Sequence, residues 1–194
     1  MGADGLLGQG SVADEVARAM LGRRVLLVHG ELDDARVGEL SASLMMLDAT
    51  GDDRIVLRIT GAGASLEHGL VLMDVLGVVG VPVDVTGAGT ILGGAVGLLA
   101  AGRHRSLSLH ARLHLREPER EVAGRASDIE RAVAEQAARR DRFLRALGTA
   151  TGRPLCEVAA EWDIAPFLDA HDAVTLGYAD AVDAEHPRGR TTPS

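Results

Sequence analysis

Short, mainly apolar runs alternate with amphipathic stretches along the first hundred residues of the chain. Three runs, Val25–His29, Ile55–Ile59 and Pro82–Thr86, have the length and the branched side chains of buried strands. Each is followed by glycine or acidic residues and then by apolar residues at helical spacing. This repetition of strand and helix predicts a parallel sheet with right-handed crossovers.

Three helices are predicted to follow these strands. The first is capped by Asp33 or Asp34, the second runs from Ser65 to about Val79, and the third covers Leu92–Ala101 after the turn Gly87-Ala88-Gly89. The buried face of the first helix is predicted to carry Val37, Leu40, Leu44 and Leu47. The strand–helix alternation therefore extends to residue 101.

The pattern changes in the second half of the chain. Ser106–Leu109 and Ala111–Leu115 are short strand candidates. The capping-box spacing of Ser127–Glu130 opens a long helix that is predicted to end at Gly148. We therefore expect an α/β domain that carries a long helical excursion.

Shorter elements are predicted near the C-terminus. One helix follows Pro154, another begins after Asp169 and stops at Gly177, and Tyr178–Val182 is the last predicted strand. Residues 1–10 are glycine-rich and residues 185–194 are polar, so both are expected to be flexible. The predicted organisation is one domain over residues 11–184.

Composition and charge narrow the class of protein. The 194 residues suit a single domain, and with 46% apolar but only 2% aromatic residues the core must consist of Val, Leu and Ala. A net charge of -8 argues against nucleic acid or anionic membrane as partners. The single cysteine, Cys156, excludes an internal disulfide. Without a signal-peptide pattern or a membrane-length apolar run, a cytoplasmic location is expected.

Two weaker patterns are not interpreted as ligand sites. His104, His110 and His114 lie close together in the sequence, but surface or inter-subunit positions explain them better than a metal site does. The stretch GAGTILG has the wrong glycine spacing for a dinucleotide fingerprint. No cofactor and no metal are expected.

Several motifs, taken in order, carry a resemblance to a known family. IVLRITGAGAS stands where the ClpP (caseinolytic protease proteolytic subunit) family has a strand and a Ser-Pro-Gly-Gly turn. GAGTILGGAVGLLAAG stands at its nucleophile turn, Gly-Gln-Ala-Ala-Ser-Met-Gly-Ala. GRASDIERAVAEQAARRDRFLRALGTATGRPLCEV resembles its handle helix, and FLDAHDAVTLGYADAV its closing signature. The chain thus resembles ClpP from residue 11 to about 184, with a handle region at about 119–148, which implies the ClpP/crotonase-type superfold.

The resemblance also locates the positions of a Ser-His-Asp triad. Acyl transfer needs a nucleophile, a base and a group that orients the base. Here the serine position is Gly93, the histidine position is Arg116, and the aspartate position is Ala165. Glycine has no nucleophile and arginine stays protonated, so the chain is predicted to be inactive. Ala64 and Gly94 occupy the oxyanion positions, whose backbone N–H groups survive substitution.

Three residues near these positions are candidate substitutes for the triad. His114 and Asp163 each lie two residues before a triad position, but a two-residue step along a strand moves a side chain by roughly 6–7 Å. Ser65 is the hydroxyl nearest the predicted mouth, and it is better explained as a helix N-cap. A peptidase with relocated residues is therefore the less favoured alternative.

The resemblance implies assembly into a ring, either of this chain alone or mixed with an active ClpP paralogue. It also implies docking of an AAA+ unfoldase, which is disfavoured because aromatic positions of the docking cleft are Val56 and Arg58 here. The leading interpretation is an inactive, ClpR-like ring component. Two competing hypotheses are a crotonase-type acyl-CoA-binding protein and a module that binds a peptide carboxylate through Arg116.

Overall fold

The computed structural model describes residues 12–116, 126–164 and 166–183, with side chains described from residue 15 and, in the long helix, from residue 127. Seven helices and eight strands lie in these ranges. The helices are α1 Val12–Leu21, α2 Asp34–Ala49, α3 Leu66–Val78, α4 Gly94–Ala100, α5 Ala126–Thr151, α6 Leu155–Ile164 and α7 Ala170–Thr175. The strands are β1 Val25–Leu32, β2 Ile55–Ala64, β3 Val83–Ala88, β4 Thr90–Gly93, β5 His104–Ser108, β6 Arg112–His114, β7 Phe167–Asp169 and β8 Ala181–Asp183.

All eight strands belong to one curled sheet in the order β7-β6-β4-β2-β3-β5-β8, and β1 pairs with β2. Every pairing is parallel except that of β6 with β7, which is antiparallel. The parallel sheet predicted from the alternating pattern is confirmed, as is the mixed α/β class.

The sheet bends where β2 and the segment formed by β3 and β4 change direction at glycines. β3 and β4 are one strand interrupted at Gly89; β3 pairs with the first half of β2 and β4 with its end, Gly63 and Ala64. Gly61 and Gly89 have φ values of 57° and 67°, which favour glycine. A Cβ on Gly89 would lie 3.3 Å from the backbone N of Gly61, so the two bends also pack closely. Beyond this bend the ends of β2, β4 and β6 lie side by side.

The core lies between the sheet and the helices. The face predicted for α2 is confirmed, because Val37, Leu40, Leu44 and Leu47 are all buried. Asp33 is the N-cap of α2, and its side chain accepts a hydrogen bond from the backbone N–H of Arg36. Every residue of α4 is buried, which explains why the segment is built from Gly, Ala, Val and Leu. The helix-like and strand-like patterns thus identify the correct buried faces.

Some element boundaries differ from the predicted ones. The helix expected over Leu92–Ala101 begins only at Gly94, because the preceding residues form β4. α5 continues through Gly148 to Thr151. Glycine is needed at 148 because a Cβ there would lie 3.0 Å from the carbonyl oxygen of Arg153, not because the helix ends.

One helix and one short strand at the ends of the described chain were not predicted. α1 is an amphipathic helix immediately before β1, and β7 is a three-residue strand that pairs with β6. The expected last strand, Tyr178–Val182, is shortened to β8, because the N–H groups of Tyr178 and Ala179 bond back to Ala173 at the end of α7. None of the helices in the described ranges is long and apolar enough to cross a membrane.

Candidate functional site

The turn between β4 and α4 has the backbone shape of a nucleophile turn. Gly93 has φ 60° and ψ -127°, a combination that costs a residue with a side chain of order 1–3 kcal/mol. A strained turn of this kind, from strand to helix, is where hydrolases present a catalytic serine. At this position the chain carries only glycine, and both Gly93 and Gly94 are buried. The backbone conformation of the turn is present, but Gly93 has no side chain that could take part in a reaction.

The end of β2 forms the loop predicted to supply oxyanion donors. Gly63 and Ala64 pair with Leu92 and Gly93 of β4, and both are buried. On the other side, Glu31 of β1 pairs with Gly63, and its Oε2 atom would lie 2.9 Å from a Cβ placed on that glycine. Glu31 is exposed, so its carboxylate lies beside this loop in contact with water.

β6 places His114 beside the strand that leads into this turn, and Arg116 follows two residues later. His114 pairs with Leu92 of β4 on one side and with Phe167 of β7 on the other. Its imidazole stacks on the Phe167 ring, with 3.9 Å between the ring centroids and 14° between the planes. Burial, and secondarily the charge of Arg116, lower the pKa of His114 below the ordinary 6.5. The imidazole at this edge is therefore neutral at physiological pH.

The position predicted for the triad aspartate, Ala165, lies outside the described residues. Its neighbour Pro166 accepts a hydrogen bond from the backbone N–H of Leu115 at 3.2 Å, so the chain at 166 lies against the residue before Arg116. β6 in turn pairs with the strand that ends at Gly93. Gly93, Arg116 and the residue after position 165 thus lie on neighbouring chain segments at one edge of the sheet.

The three candidate substitutes each make contacts elsewhere. Ser65 is the N-cap of α3, and its hydroxyl accepts a hydrogen bond from the backbone N–H of His68 at 3.2 Å. Asp163 pairs with Arg140 across α6 and α5, with 2.6 Å between Oδ1 and Nη2. His114 is stacked on Phe167. No hydrogen bond joins Ser65, His114 and Asp163 to one another.

A different histidine–carboxylate pair was missed from the sequence. Nε2 of His68 on α3 lies 2.8 Å from Oδ1 of Asp34 on α2. Ser65 is near His68 in sequence, but its hydroxyl accepts a hydrogen bond from the backbone N–H of His68. Nδ1 of the His68 imidazole is buried and has no hydrogen-bond partner in the described part of the chain. Ser65, His68 and Asp34 are the residue types of a catalytic triad. The serine hydroxyl is not hydrogen-bonded to the imidazole, as a triad requires. No spacing in the sequence signals it, because α2 and α3 are separate in the chain.

No group of three His, Cys, Asp or Glu side chains within the described ranges is arranged to hold a metal ion. His104 begins β5 and His110 lies between β5 and β6, both exposed, whereas His114 is half-buried against Phe167. The stretch GAGTILG forms the end of β3, the bend and β4, so its glycines serve strand geometry.

The fold and this edge define the class of protein: a curled α/β sheet with a nucleophile-type turn and a long helix inserted before the last strands. Residues 8–186 match the family model described as Clp protease. The chain is 28% identical over 165 residues to the ATP-dependent Clp protease proteolytic subunit of Pleurastrum terricola, which covers 84% of each protein. The chain belongs to the Clp protease family and is a homologue of its proteolytic subunit.

Proposed function

We propose that this chain is a catalytically silent, ClpR-like subunit that forms a ring, alone or mixed with an active ClpP paralogue. The observation that carries the proposal is Gly93. It stands in the strained turn where the resemblance places the catalytic serine, and it offers no atom that could attack a carbonyl. A vacant nucleophile position cannot be compensated by any improvement in binding or orientation.

The neighbouring positions support the same conclusion. Arg116, at the histidine position, carries a permanent positive charge and cannot accept a proton. Ala165, at the aspartate position, has no carboxylate to orient a base. Glu31 adds a negative charge beside the oxyanion loop. Nucleophile, base and orienting group are therefore proposed to be lost together, which favours a silent subunit over a peptidase with one altered residue.

Exposed apolar side chains support assembly. On the outer faces of α2 and α3, Met45 and Met46 are about half exposed and Val78 is 71% exposed. On α5, Val133 is 57% exposed. Large apolar side chains this accessible are suited to a subunit interface. Members of the family form rings, and we propose α5 as the helix of a handle region at about 119–148.

The outer face of the sheet favours a ring without a hydrophobic docking loop. Arg58 of β2 pairs directly with Thr86 of β3, and Thr86 pairs with Ser106 of β5, so these side chains form one row across the sheet. Arg58 is exposed and the other two are half-buried. Covering this row with an apolar loop would desolvate a guanidinium and two hydroxyls. We propose that an unfoldase docks on an active partner subunit and not on this chain.

The proposal is tested by activity and mass. The purified chain should hydrolyse no peptide under conditions in which an active ClpP subunit does, and native mass measurement should show a ring of several copies or a mixed ring when the two are combined. Hydrolysis by the chain alone would contradict the proposed lack of catalysis, and a monomer under both conditions would contradict the proposed assembly.

The location of the protein is a separate proposal. Because the chain has a single cysteine and cannot form an internal disulfide, we propose a reducing, cytoplasmic location.

A further inference from the structure

The turn at Gly93 is closed by the backbone of the neighbouring helix. A Cβ placed on Gly94 would lie 2.0 Å from the carbonyl oxygen of Ser65, 2.8 Å from its carbonyl carbon and 3.0 Å from the backbone N of Gly69. All three atoms are backbone, so none can be moved by a change of rotamer. The first turn of α3 therefore lies directly on the first residue of α4.

The contact is reciprocal. A Cβ on Gly69 would lie 2.6 Å from both Cα and O of Gly94. Gly69 is one turn into α3, and its N–H bonds to the Ser65 carbonyl that touches Gly94. We name the backbone contact between Gly69 and Gly94, together with the Ser65 carbonyl, the glycine seam. Only a pair of glycines permits it.

We infer that the glycine seam holds the former nucleophile turn shut, so that this edge is a closed packing contact and not a vacant binding pocket. The inference extends the proposed loss of catalysis, on which it rests, because a turn that still admitted substrate could not be packed in this way. Gly93, Gly94 and Ala64 are all buried, as the inference requires. Within the described residues, a cavity of about 530 Å³ lies beside β1 and another of about 430 Å³ lies at the ends of β3, β5 and β8.

A thiol placed at the turn tests whether it is closed. Cys156 is exposed and serves as the reference. In Gly93→Cys with Cys156→Ser, the thiol at 93 should react with a soluble disulfide reagent roughly 100-fold more slowly than Cys156 of the unaltered chain, because reaction requires local opening. Both thiols should react at the same rate in denaturant. Reaction at 93 as fast as at Cys156 in the folded protein would overturn the inference.

Two alanine variants test the seam itself. Gly94→Ala places a methyl group against backbone and should lower Tm by about 4 °C or more, and in the Gly93→Cys background it should speed thiol reaction. Gly77→Ala is the matched control, because Gly77 lies on α3 with nothing within 4 Å of its Cβ position, and Tm should hold or rise.

Failure of Gly94→Ala to fold where Gly77→Ala folds supports the seam, and equal behaviour of the two variants overturns it. Peptide hydrolysis by the unaltered chain would contradict the proposed function while leaving the Tm comparison interpretable, so the two failures are distinguishable.

Discussion

The region where α5, α6 and α7 meet and the turn at Gly93 are stabilised in different ways. Around α6, Tyr178 donates to Glu161 at 2.9 Å, and Arg153 donates to the same carboxylate. Phe143 and Trp162 pack edge to face with 5.2 Å between their centroids. At the turn the contacts are backbone against glycine. Contacts between side chains stabilise the C-terminal region, whereas the close packing at the turn requires glycines, which have no side chain.

This difference bears on the proposed loss of the triad. The close contacts of Gly94 at the turn are with backbone atoms, whereas the C-terminal region depends on pairs of side chains. The pKa of Arg153 is raised chiefly by its hydrogen bonds to Glu161, and the pKa of Tyr178 is raised by burial and by the charge of Glu161. Because these groups depend on one another, replacing any one of them should lower the free energy of unfolding.

The largest effect is expected from Phe143→Ala. Phe143 is fully buried, and one edge of its ring lies 2.7 Å from the Cβ position of Gly97, so its loss leaves a cavity between α4 and α5. We predict a loss of about 3–5 kcal/mol in the free energy of unfolding. Denaturant titration followed by Trp162 fluorescence measures it. Val133→Ala, on the exposed side of α5, should change stability by about 0.5 kcal/mol or less.

The next largest loss of stability is expected from Glu161→Ala. Arg153 and Glu161 are 17% and 19% exposed, and the substitution also leaves the Tyr178 hydroxyl without its acceptor. Breaking a fully buried pair costs about 3–5 kcal/mol, and partial access to water reduces our expectation to about 2–3 kcal/mol. Glu157→Ala is the control, because Glu157 also contacts Arg153 but is 55% exposed. Equal losses in the two variants would contradict the central place of Glu161 among these contacts.

A smaller loss of stability is expected when Asp180 is protonated at low pH. Hydrogen bonds from Arg105 lower the pKa of Asp180 below its ordinary value of 3.8. Because the folded-state pKa is the lower one, the stabilisation is present above about pH 4 and is lost as the pH falls through the folded-state pKa. Asp180→Asn should flatten this acid limb when Tm is measured from pH 6 to pH 2. An unchanged limb would show that other carboxylates determine it.

The smallest effect concerns the protonation of His114. The ¹H–¹⁵N titration of His114 should have its midpoint below 6.5, because its ring is partly buried against Phe167 and lies near Arg116. Arg116→Gln removes the nearby positive charge and should raise that midpoint. Phe167→Ala should raise it further by exposing the ring to water. A midpoint at or above 6.5 in the unaltered chain would contradict the stacked, half-buried placement.

Much of the fold was predictable because its patterns are periodic. The buried face of α2 and the strand β2 follow directly from apolar spacing. β4 and β7, which were not predicted, have only four and three residues, too few to establish a period. The bend at Gly61 and Gly89 was invisible for another reason: glycines in a row predict a turn, not a strand that continues past it.

Only those parts of the candidate site that follow from the order of the motifs could be predicted from the sequence. That order assigned Gly93 to the nucleophile turn, and the structure has a strand-to-helix turn with positive φ there. The pairing of β6 with β4 was not predicted. The glycine seam and the pair of His68 with Asp34 join residues more than twenty positions apart that carry no shared pattern. Contacts between helices of this kind depend on how closely the helices approach, which one sequence does not specify.

Covalent labelling of the unaltered chain tests the proposed absence of a nucleophile most directly. After incubation with an excess of fluorophosphonate, the intact mass should be unchanged, while an active ClpP subunit treated alongside gains one phosphonyl group per chain. A single adduct of the same mass on this chain, abolished by Ser65→Ala or by unfolding, would show that a reactive hydroxyl exists and would contradict a silent subunit.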